Sequence, residues 1–256
     1  MNEDLIDILS SKGLVTYKLD NFNLVNSLKK LIFRELKNNY GIKIKNLDQL
    51  HEFINLNELN NIRLKLASKL NDKSYSSDLI YSSLRNLLKT ILGPDIAIQK
   101  NVGLSIQIPK DESSLLHVHS DVFDSDCSPY EIVIWIPLVS CYQTKSMFFL
   151  PFTHFDSIKS YLEISEKLRQ NLKNPKLIKN DIQYLEIEPP SIALFSHSIW
   201  HGNTINMSNE TRFSLNVRVK NIFTPYRGKK LGDFFKIAEV SKLTNLASKI
   251  EANINE

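Results

Sequence analysis

Hydrophobic periodicity changes at Gly93-Pro94, and this change constrains the fold more than any other feature of the sequence. Before it, apolar residues recur at helical spacing within 22–36, 59–70 and 79–91, and Gly41 stands where a helix C-terminal cap would lie. After it, short apolar runs alternate with period two and are separated by turn residues. A helical layer followed by a series of short strands predicts an α+β chain with a mainly β core.

The strand pattern predicts a double-stranded β-helix of the jelly-roll, cupin type, with an N-terminal helical layer and C-terminal helices around it. The predicted strands are 96–98, 104–108, 131–138, 146–150, 182–187, 192–195 and 212–219. We predict one domain over 1–256, with a helical layer at 1–93, the β core at 94–222, a helical insertion at about 156–172, and C-terminal helices at 223–256.

Composition excludes several classes of protein. Hydrophobic residues make up 42% of the chain, which is enough for a packed core, and the two cysteines cannot build a disulfide-stapled module. The net charge of +4 is too mild to indicate a nucleic-acid partner. Only 7 glycines are present, and no glycine-rich phosphate loop can be found. Neither a signal peptide nor a membrane-spanning run is recognisable, so we expect a cytoplasmic protein with reduced thiols.

The clearest alternation, at 212–219, has an unusual polar face. It places Arg212, Ser214, Asn216 and Arg218 on one side and four apolar residues on the other. A strand with one wholly polar face is expected where that face lines a wet, charged cavity.

Histidines and one acid supply candidate metal ligands within the β half. In His119-x-Asp121 the two side chains would share a face if the segment were a strand, and His201 follows 82 residues later, before a predicted turn. Two histidines and one carboxylate can bind Fe(II) and leave three coordination positions open. Arg212 follows His201 by 11 residues, and its guanidinium can pair with the remote end of a dicarboxylate, with Ser214 as a further donor.

This pattern resembles the Fe(II)/2-oxoglutarate-dependent oxygenases. The match covers about residues 96–219, and the run His201-Gly202-Asn203 with Asn206, Ser208 and Arg212 is similar to the phytanoyl-CoA-hydroxylase-like branch. The segments 115–121, 128–131, 135–138 and 144–147 resemble a bacterial subgroup found in aminoglycoside and surface-carbohydrate biosynthesis.

The resemblance implies a cytoplasmic hydroxylase that uses Fe(II), 2-oxoglutarate and O2. Fe(II) would bind His119, Asp121 and His201, while Arg212 and Ser214 would bind the cosubstrate, which Gln107 could also contact. The substrate would be a small molecule, a sugar or sugar-derived intermediate, with no nucleic-acid or membrane partner. An acid at the second ligand position argues against halogenation, whereas desaturation and epimerisation stay open.

Other residues compete with these assignments or have no settled role. His117 lacks an acid two residues on, and His197 lies 15 residues before Arg212, longer than relatives usually show, so we favour His119 and His201. His117, Arg218 and Trp135 are candidate substrate contacts, each with an ordinary structural alternative. His154 stands where relatives often have Pro-Gly-Ser-His and is given no role, and we expect His51 on a helix surface.

Two further functions fit the same residues. A cupin-type sugar isomerase or epimerase could use the metal ligands without 2-oxoglutarate, and a non-catalytic carbohydrate-binding jelly roll could retain them as a vestige. We also find an apolar stripe at Ile237, Val240, Leu243, Leu246 and Ile250. We favour its packing on the protein's own sheet over a homodimer surface.

Overall fold

The N-terminal third is helical, as predicted. The computed structural model describes residues 2–154, 157–170 and 182–254. The elements in this third are α1 (Asn2–Lys12), β1 (Leu14–Lys18), α2 (Asn23–Tyr40), α3 (Leu56–Leu70) and α4 (Tyr75–Leu92). Leu28, Ile32 and Leu36 of α2 are fully buried, and Gly41 ends the helix at φ 69°, a left-handed conformation that glycine adopts without strain. The three predicted helices are confirmed.

The rest of the chain forms two antiparallel sheets. Its strands are β2 (Ile96–Gln99), β3 (Gly103–Gln107), β4 (Ile132–Pro137), β5 (Met147–Leu150), β6 (Gln183–Tyr184), β7 (Ser191–Ser196), β8 (Trp200–Asn203), β9 (Arg212–Asn221) and β10 (Phe235–Glu239). Its helices are α5 (Asp121–Asp124), α6 (Ile158–Gln170) and α7 (Lys242–Ile254). The larger sheet runs β1-β7-β4-β9-β2-β10, with β3 also paired to β9, and the smaller runs β6-β5-β8. A mixed fold of helices and antiparallel sheet is thereby confirmed, while the double-stranded β-helix stays a prediction.

Strand β9 organises the larger sheet, and its polar face continues onto its neighbours. Ser105 lies opposite Ser214, and Gln107 lies opposite Arg212. On the other side, Trp135 of β4 lies opposite Asn216. Because directly opposed residues of antiparallel strands point to the same face, these side chains form one row across β3, β9 and β4. The opposite face of β9, with Phe213 to Val219, is buried in the same apolar core as α2, α3 and α4.

Two edge strands of the larger sheet differ from the sequence prediction. Strand β1 lies within the predicted helical layer and pairs with β7, and β10 lies within the predicted C-terminal helices of 223–256 and pairs with β2. The prediction of helix is therefore wrong for Phe235–Glu239 and correct for Lys242–Ile254. The predicted strand at 182–187 is only Gln183–Tyr184. The predicted insertion is helical over Ile158–Gln170. Residues 156, 171 and 172 of the predicted range lie outside the described residues.

The apolar stripe at the C-terminal end does not pack on the sheet. Its five members are between 38% and 76% exposed, and no residue of α7 is buried. Helix α4 already contacts β2, the neighbour of β10, so this part of the sheet is covered. The favoured interpretation of the stripe is wrong, and a homodimer surface stays a prediction.

No helix in the described ranges is both long enough and apolar enough to cross a membrane.

Candidate metal and dicarboxylate site

Two of the predicted metal ligands lie side by side. The backbones of His119 and His201 form a short antiparallel bridge with two N–H···O bonds of 2.9 Å, and their ring centroids are 4.3 Å apart. His201 lies within β8 rather than before a turn. His119 is extended, but Asp121 starts the short helix α5, so the two side chains are not brought together by a shared strand face. The loop after β3 thus meets the smaller sheet at this pair.

The ring nitrogens of both histidines are arranged as in metal ligands. Nδ1 of His119 lies 2.7 Å from the carbonyl oxygen of His117, and Nδ1 of His201 lies 3.1 Å from that of Ile199. A neutral imidazole that donates Nδ1–H to a carbonyl keeps a lone pair on Nε2 for a metal ion. Burial, reinforced by nearby His119, lowers the pKa of His201 to about 4, so this ring is neutral at physiological pH.

Asp121 is ionised and held by neighbouring side chains. Burial would raise its pKa, but Arg218, His197, His201 and His119 together lower it to about 2. Nη2 of Arg218 lies 3.3 Å from each carboxylate oxygen, and Nε2 of His197 lies 3.7 Å from Oδ2. Arg218 was a candidate substrate contact in the sequence, and the structure pairs it with Asp121.

The donor types of the three predicted ligands suit a metal ion, but their ligand atoms are farther apart than in a closed metal site. Within the described ranges, the group of three potential ligand atoms that lie within 4.8 Å of one another is Cys127, Glu131 and His197. His119, Asp121 and His201 are neighbours, but their ligand atoms are not gathered that closely. Two neutral-type imidazoles beside one ionised carboxylate are nevertheless the donor set that Fe(II) oxygenases use.

Gly202 allows the close approach of two backbones beside His201. A Cβ at this position would lie 2.8 Å from the carbonyl oxygen of Leu116 and 2.7 Å from Cζ of Phe148. Gly202 is part of β8, and its φ is not in the left-handed region. The turn predicted after His201 does not occur at Gly202, and the small residue serves packing instead.

A second polar centre surrounds Arg212. Its side chain is buried, Nη2 donates to Ser105 Oγ at 2.9 Å, and Nε has no partner. Ser214 Oγ and Gln107 Oε1 are also buried and unpartnered. No carboxylate pairs with Arg212 in the part of the chain that the structure describes, and burial lowers the pKa of the guanidinium to about 10. A buried cation with spare donors fits an incoming carboxylate.

The remaining candidates lie around these two centres. Gln107 Nε2 donates to the carbonyl of Thr204 at 2.7 Å, and Trp135 is buried in the hydrophobic core opposite Asn216 of β9. His117 is exposed and lines a cavity of about 390 Å³. His154 ends a short 3₁₀ turn, and its side chain is not among those described.

Sequence reasoning missed two contacts near Arg212, one made by Ser105 and one made by His51. Ser105 shares the alternation of Gln107 along β3, so its place on the polar face was open to inference. His51 was expected on a helix surface, but its backbone N–H and ring contact the hydroxyl of Thr211, the residue before Arg212. No pattern in the sequence indicated this contact, which joins residues 160 positions apart.

Comparison with known proteins gives structural neighbours only. No family model matches the sequence, and no curated protein matches it. Among solved structures, the apo form of the non-heme monooxygenase ThoJ covers 93% of this chain and 85% of its own at 11% identity and a TM-score of 0.61. The non-heme alpha ketoglutarate dependent carbocyclase SnoK from nogalamycin biosynthesis covers 89% and 87% at 12% identity and a TM-score of 0.55.

A third neighbour carries ligands. The epimerase SnoN, in complex with Fe3+, alpha ketoglutarate and nogalamycin RO, covers 94% of this chain and 95% of its own at 14% identity and a TM-score of 0.52. The chain has the fold of the non-heme iron and 2-oxoglutarate enzymes. The resemblance inferred from the sequence is confirmed at the level of the fold, and the branch and subgroup stay predictions.

Proposed function

We propose that this protein is a non-haem Fe(II)- and 2-oxoglutarate-dependent dioxygenase that hydroxylates a small molecule. One observation carries the proposal. A pair of metal-competent histidines with an ionised Asp121 lies in the same fold as a buried Arg212 that lacks an anionic partner. An isolated metal site would not require a buried cation, and an isolated anion site would not require the histidine pair.

The proposed roles follow from what each side chain offers. His119, Asp121 and His201 would hold Fe(II), which with 2-oxoglutarate and O2 supplies the oxidising power for attack on a C–H bond. Arg212 and Ser214, with Ser105 beside them, would hold the far carboxylate of the cosubstrate by charge-assisted hydrogen bonds.

The register of the larger sheet supports placing the two centres on the same side of it. His201 of the smaller sheet packs its ring against Phe195 of the larger sheet, with centroids 5.1 Å apart. Phe195 of β7 is paired with Val133 of β4, and Val133 is paired with Arg218 of β9. Because paired residues point to the same side of a sheet, Phe195 and Arg218 lie on the same face. The metal ligands and the row that ends at Arg212 therefore lie on the same side of the larger sheet.

The substrate that we propose is a sugar or sugar-derived intermediate. The cavity beside His117 is also lined by Thr144, Tyr184, Asn203 and Thr204, whose polar groups can bind hydroxyls, together with apolar residues such as Met207. The three structural neighbours are a non-heme monooxygenase, a non-heme alpha ketoglutarate dependent carbocyclase and an epimerase, so more than one type of reaction occurs among proteins of this fold. Epimerisation by the same site would be recognised by a product without added oxygen. A cytoplasmic location and a homodimer complete the proposal.

The test is the conversion of 2-oxoglutarate to succinate with added Fe(II), ascorbate and O2. We expect slow succinate formation by the wild type without substrate, and none by His201→Ala, with Lys43→Ala at an exposed loop position as the control. Binding of 2-oxoglutarate to the anaerobic, metal-loaded protein is measured by calorimetry. Absence of both turnover and binding in the wild type would refute the proposal, and turnover of a sugar that needs neither O2 nor 2-oxoglutarate would favour the isomerase.

A further inference from the structure

His197 lies buried between two carboxylates, one of which is a proposed metal ligand. Its ring has no exposed surface, with Nδ1 3.4 Å from Oε2 of Glu131 and Nε2 3.7 Å from Oδ2 of Asp121. In the described part of the chain neither ring nitrogen has a hydrogen-bond partner, so the two carboxylates lie beside the ring without being bonded to it in this structure. The backbone carbonyl of His197 accepts from Ser120 Oγ and from the N–H of Val122, which ties this residue to the start of α5. The sequence had set His197 aside as the weaker competitor of His201.

This cluster is not suited to a second metal ion, although Cys127, Glu131 and His197 are close enough to bind one. Nζ of Lys229 lies 2.8 Å from Sγ of Cys127 and donates to it. The charges of Lys220, Arg218 and Lys229 also act on Glu131. The ammonium of Lys229 on Sγ of Cys127 and the nearby charge of Lys220 disfavour a cation bound among these three side chains.

We propose that His197 is a positioning residue that orients the carboxylate of Asp121 for metal binding, held in turn by Glu131. An ionised carboxylate only accepts hydrogen bonds, so Nε2 of His197 must carry a proton to bind Asp121. Nδ1 then accepts from Glu131, whose carboxyl must carry the second proton. Oε1 of Glu131 accepts the N–H of Ser128 at 3.1 Å, which leaves the unpartnered Oε2 to face Nδ1 of His197.

His197 and Arg218 act on Asp121 together. Arg218 reaches both oxygens through one nitrogen at 3.3 Å, a geometry that attracts the carboxylate without fixing its rotation. An N–H of His197 directed at Oδ2 would approach the carboxylate from a second direction. Two donors that approach from different directions fix the rotation of a planar carboxylate. This role deepens the proposed function and rests on it, because Asp121 needs orienting only if it binds a metal. Partners of this kind are usually worth 10–100-fold in metal affinity.

The test compares two amide variants that differ in reach. In His197→Gln the amide nitrogen extends about as far as Nε2 and can donate to Asp121, whereas in His197→Asn it extends only as far as Nδ1. Each protein is titrated with Co(II) alone, followed by visible absorbance, with thermal unfolding as the measure of folding. We expect His197→Gln to bind Co(II) within about threefold of the wild type and His197→Asn to bind about 10–100-fold more weakly.

A second pair of variants, at Glu131, tests the contacts that run from Glu131 through His197 to Asp121. Glu131→Gln keeps an N–H that can donate to Nδ1 and should leave Co(II) affinity almost unchanged. Glu131→Leu removes this donor and should weaken affinity, but it should add little in the His197→Asn background if Glu131 acts through His197. This pair also decides the matter if neither His197 variant folds.

The outcomes separate this inference from the proposed function. Equal Co(II) affinity in His197→Asn and the wild type, or equal loss in both members of either pair, overturns the positioning role. Co(II) binding by the wild type that is unaffected by His201→Ala overturns the metal site itself, and with it the proposed function. Weak binding confined to His197→Asn and Glu131→Leu supports both.

Discussion

Arg212 is the residue whose chemistry is least explained by the protein alone. A buried guanidinium loses its hydration, and a loss of this kind is usually offset by a carboxylate with good geometry. In the described residues, Arg212 has a neutral hydroxyl from Ser105 and an unpartnered Nε instead. We therefore expect a bound anion to offset the lost hydration of Arg212. Binding of such an anion should increase the stability of the fold.

Substitution of Arg212 should separate cosubstrate binding from metal binding. Arg212→Gln removes the charge that would pair with the far carboxylate of 2-oxoglutarate. Loss of one partner of a buried charge pair typically costs about 2–5 kcal/mol, so calorimetry should show 2-oxoglutarate affinity about 30-fold weaker or worse. Co(II) affinity and the unfolding temperature of the ligand-free protein should not fall. Arg85→Gln, at a surface ion pair with Glu239, is the control, and an equal loss of Co(II) binding in Arg212→Gln would contradict the assignment.

Gly202 should be sensitive to a single methyl group. In Gly202→Ala the new Cβ meets a backbone oxygen of Leu116, which cannot move without moving the neighbouring segment that carries His117 and His119. Overpacking of this kind costs about 1–3 kcal/mol, measured by urea unfolding, and should also weaken Co(II) binding. In the control, Gly228→Ala, the Cβ meets only the exposed Asp126 side chain, so little change is expected. Equal effects of the two substitutions would show that the close approach at Gly202 is unimportant.

At the scale of elements, the sequence was informative where a pattern repeats several times. Helices α2, α3 and α4 and strand β9 each bury one face over three or more repeats, so period alone identified them. Strands β1 and β10 have five residues each and lie at the two ends of the larger sheet. These two strands are held in place by backbone hydrogen bonds to β7 and β2, which are distant from them in sequence. Ile237 also fitted a helical stripe with the residues of α7, which is why β10 was predicted as helix.

The exposed stripe of α7 should contribute little to the stability of one chain. Leu246 is 55% exposed, so Leu246→Ser should change the free energy of unfolding by no more than about 0.5 kcal/mol. Ile32 of α2 is fully buried, and Ile32→Ala should cost about 2–5 kcal/mol. Urea unfolding at a low protein concentration compares the two. A large loss in Leu246→Ser would mean that α7 is covered in solution, and loss of a dimer in size-exclusion chromatography would identify a second copy as the cover.

At the scale of the whole molecule, the candidate site joins parts of the chain that the sequence separates widely. Order and spacing were enough to select His119, Asp121, His201 and Arg212, because each residue type has a defined task in the predicted chemistry. They could not reveal that Glu131 and His197 converge on Asp121. Such convergence depends on the backbone of His197 meeting the start of α5, and no periodicity records a contact of this kind.

Buried histidines make the stability of the metal-free protein depend on pH. Burial lowers the pKa of His201 to about 4 and that of His197 to about 3, against about 6.5 in an unfolded chain. The unfolded state therefore binds more protons below pH 6.5, and stability falls as the pH drops from 6.5 towards 3 to 4. Asp121, whose pKa is lowered from 3.8 to about 2, adds to this fall only below about pH 5, where the unfolded chain begins to bind a proton that the folded protein does not bind.

The measurement is the unfolding temperature of metal-free protein between pH 4.5 and 8. We expect a plateau above pH 6.5 and a progressive fall below it, with the same profile in His117→Gln, because His117 is exposed. Acidic side chains with lowered pKa values, such as Glu239, lose their stabilising effect as the pH falls through the ordinary carboxyl value of 4.5, so they affect only the lower end of this range and the pH below it. Co(II) should raise the unfolding temperature most on the plateau and less in acid, where protons compete for the imidazoles. An unfolding temperature that is constant from pH 7.5 to 4.5 would show that the histidines are not buried as neutral rings.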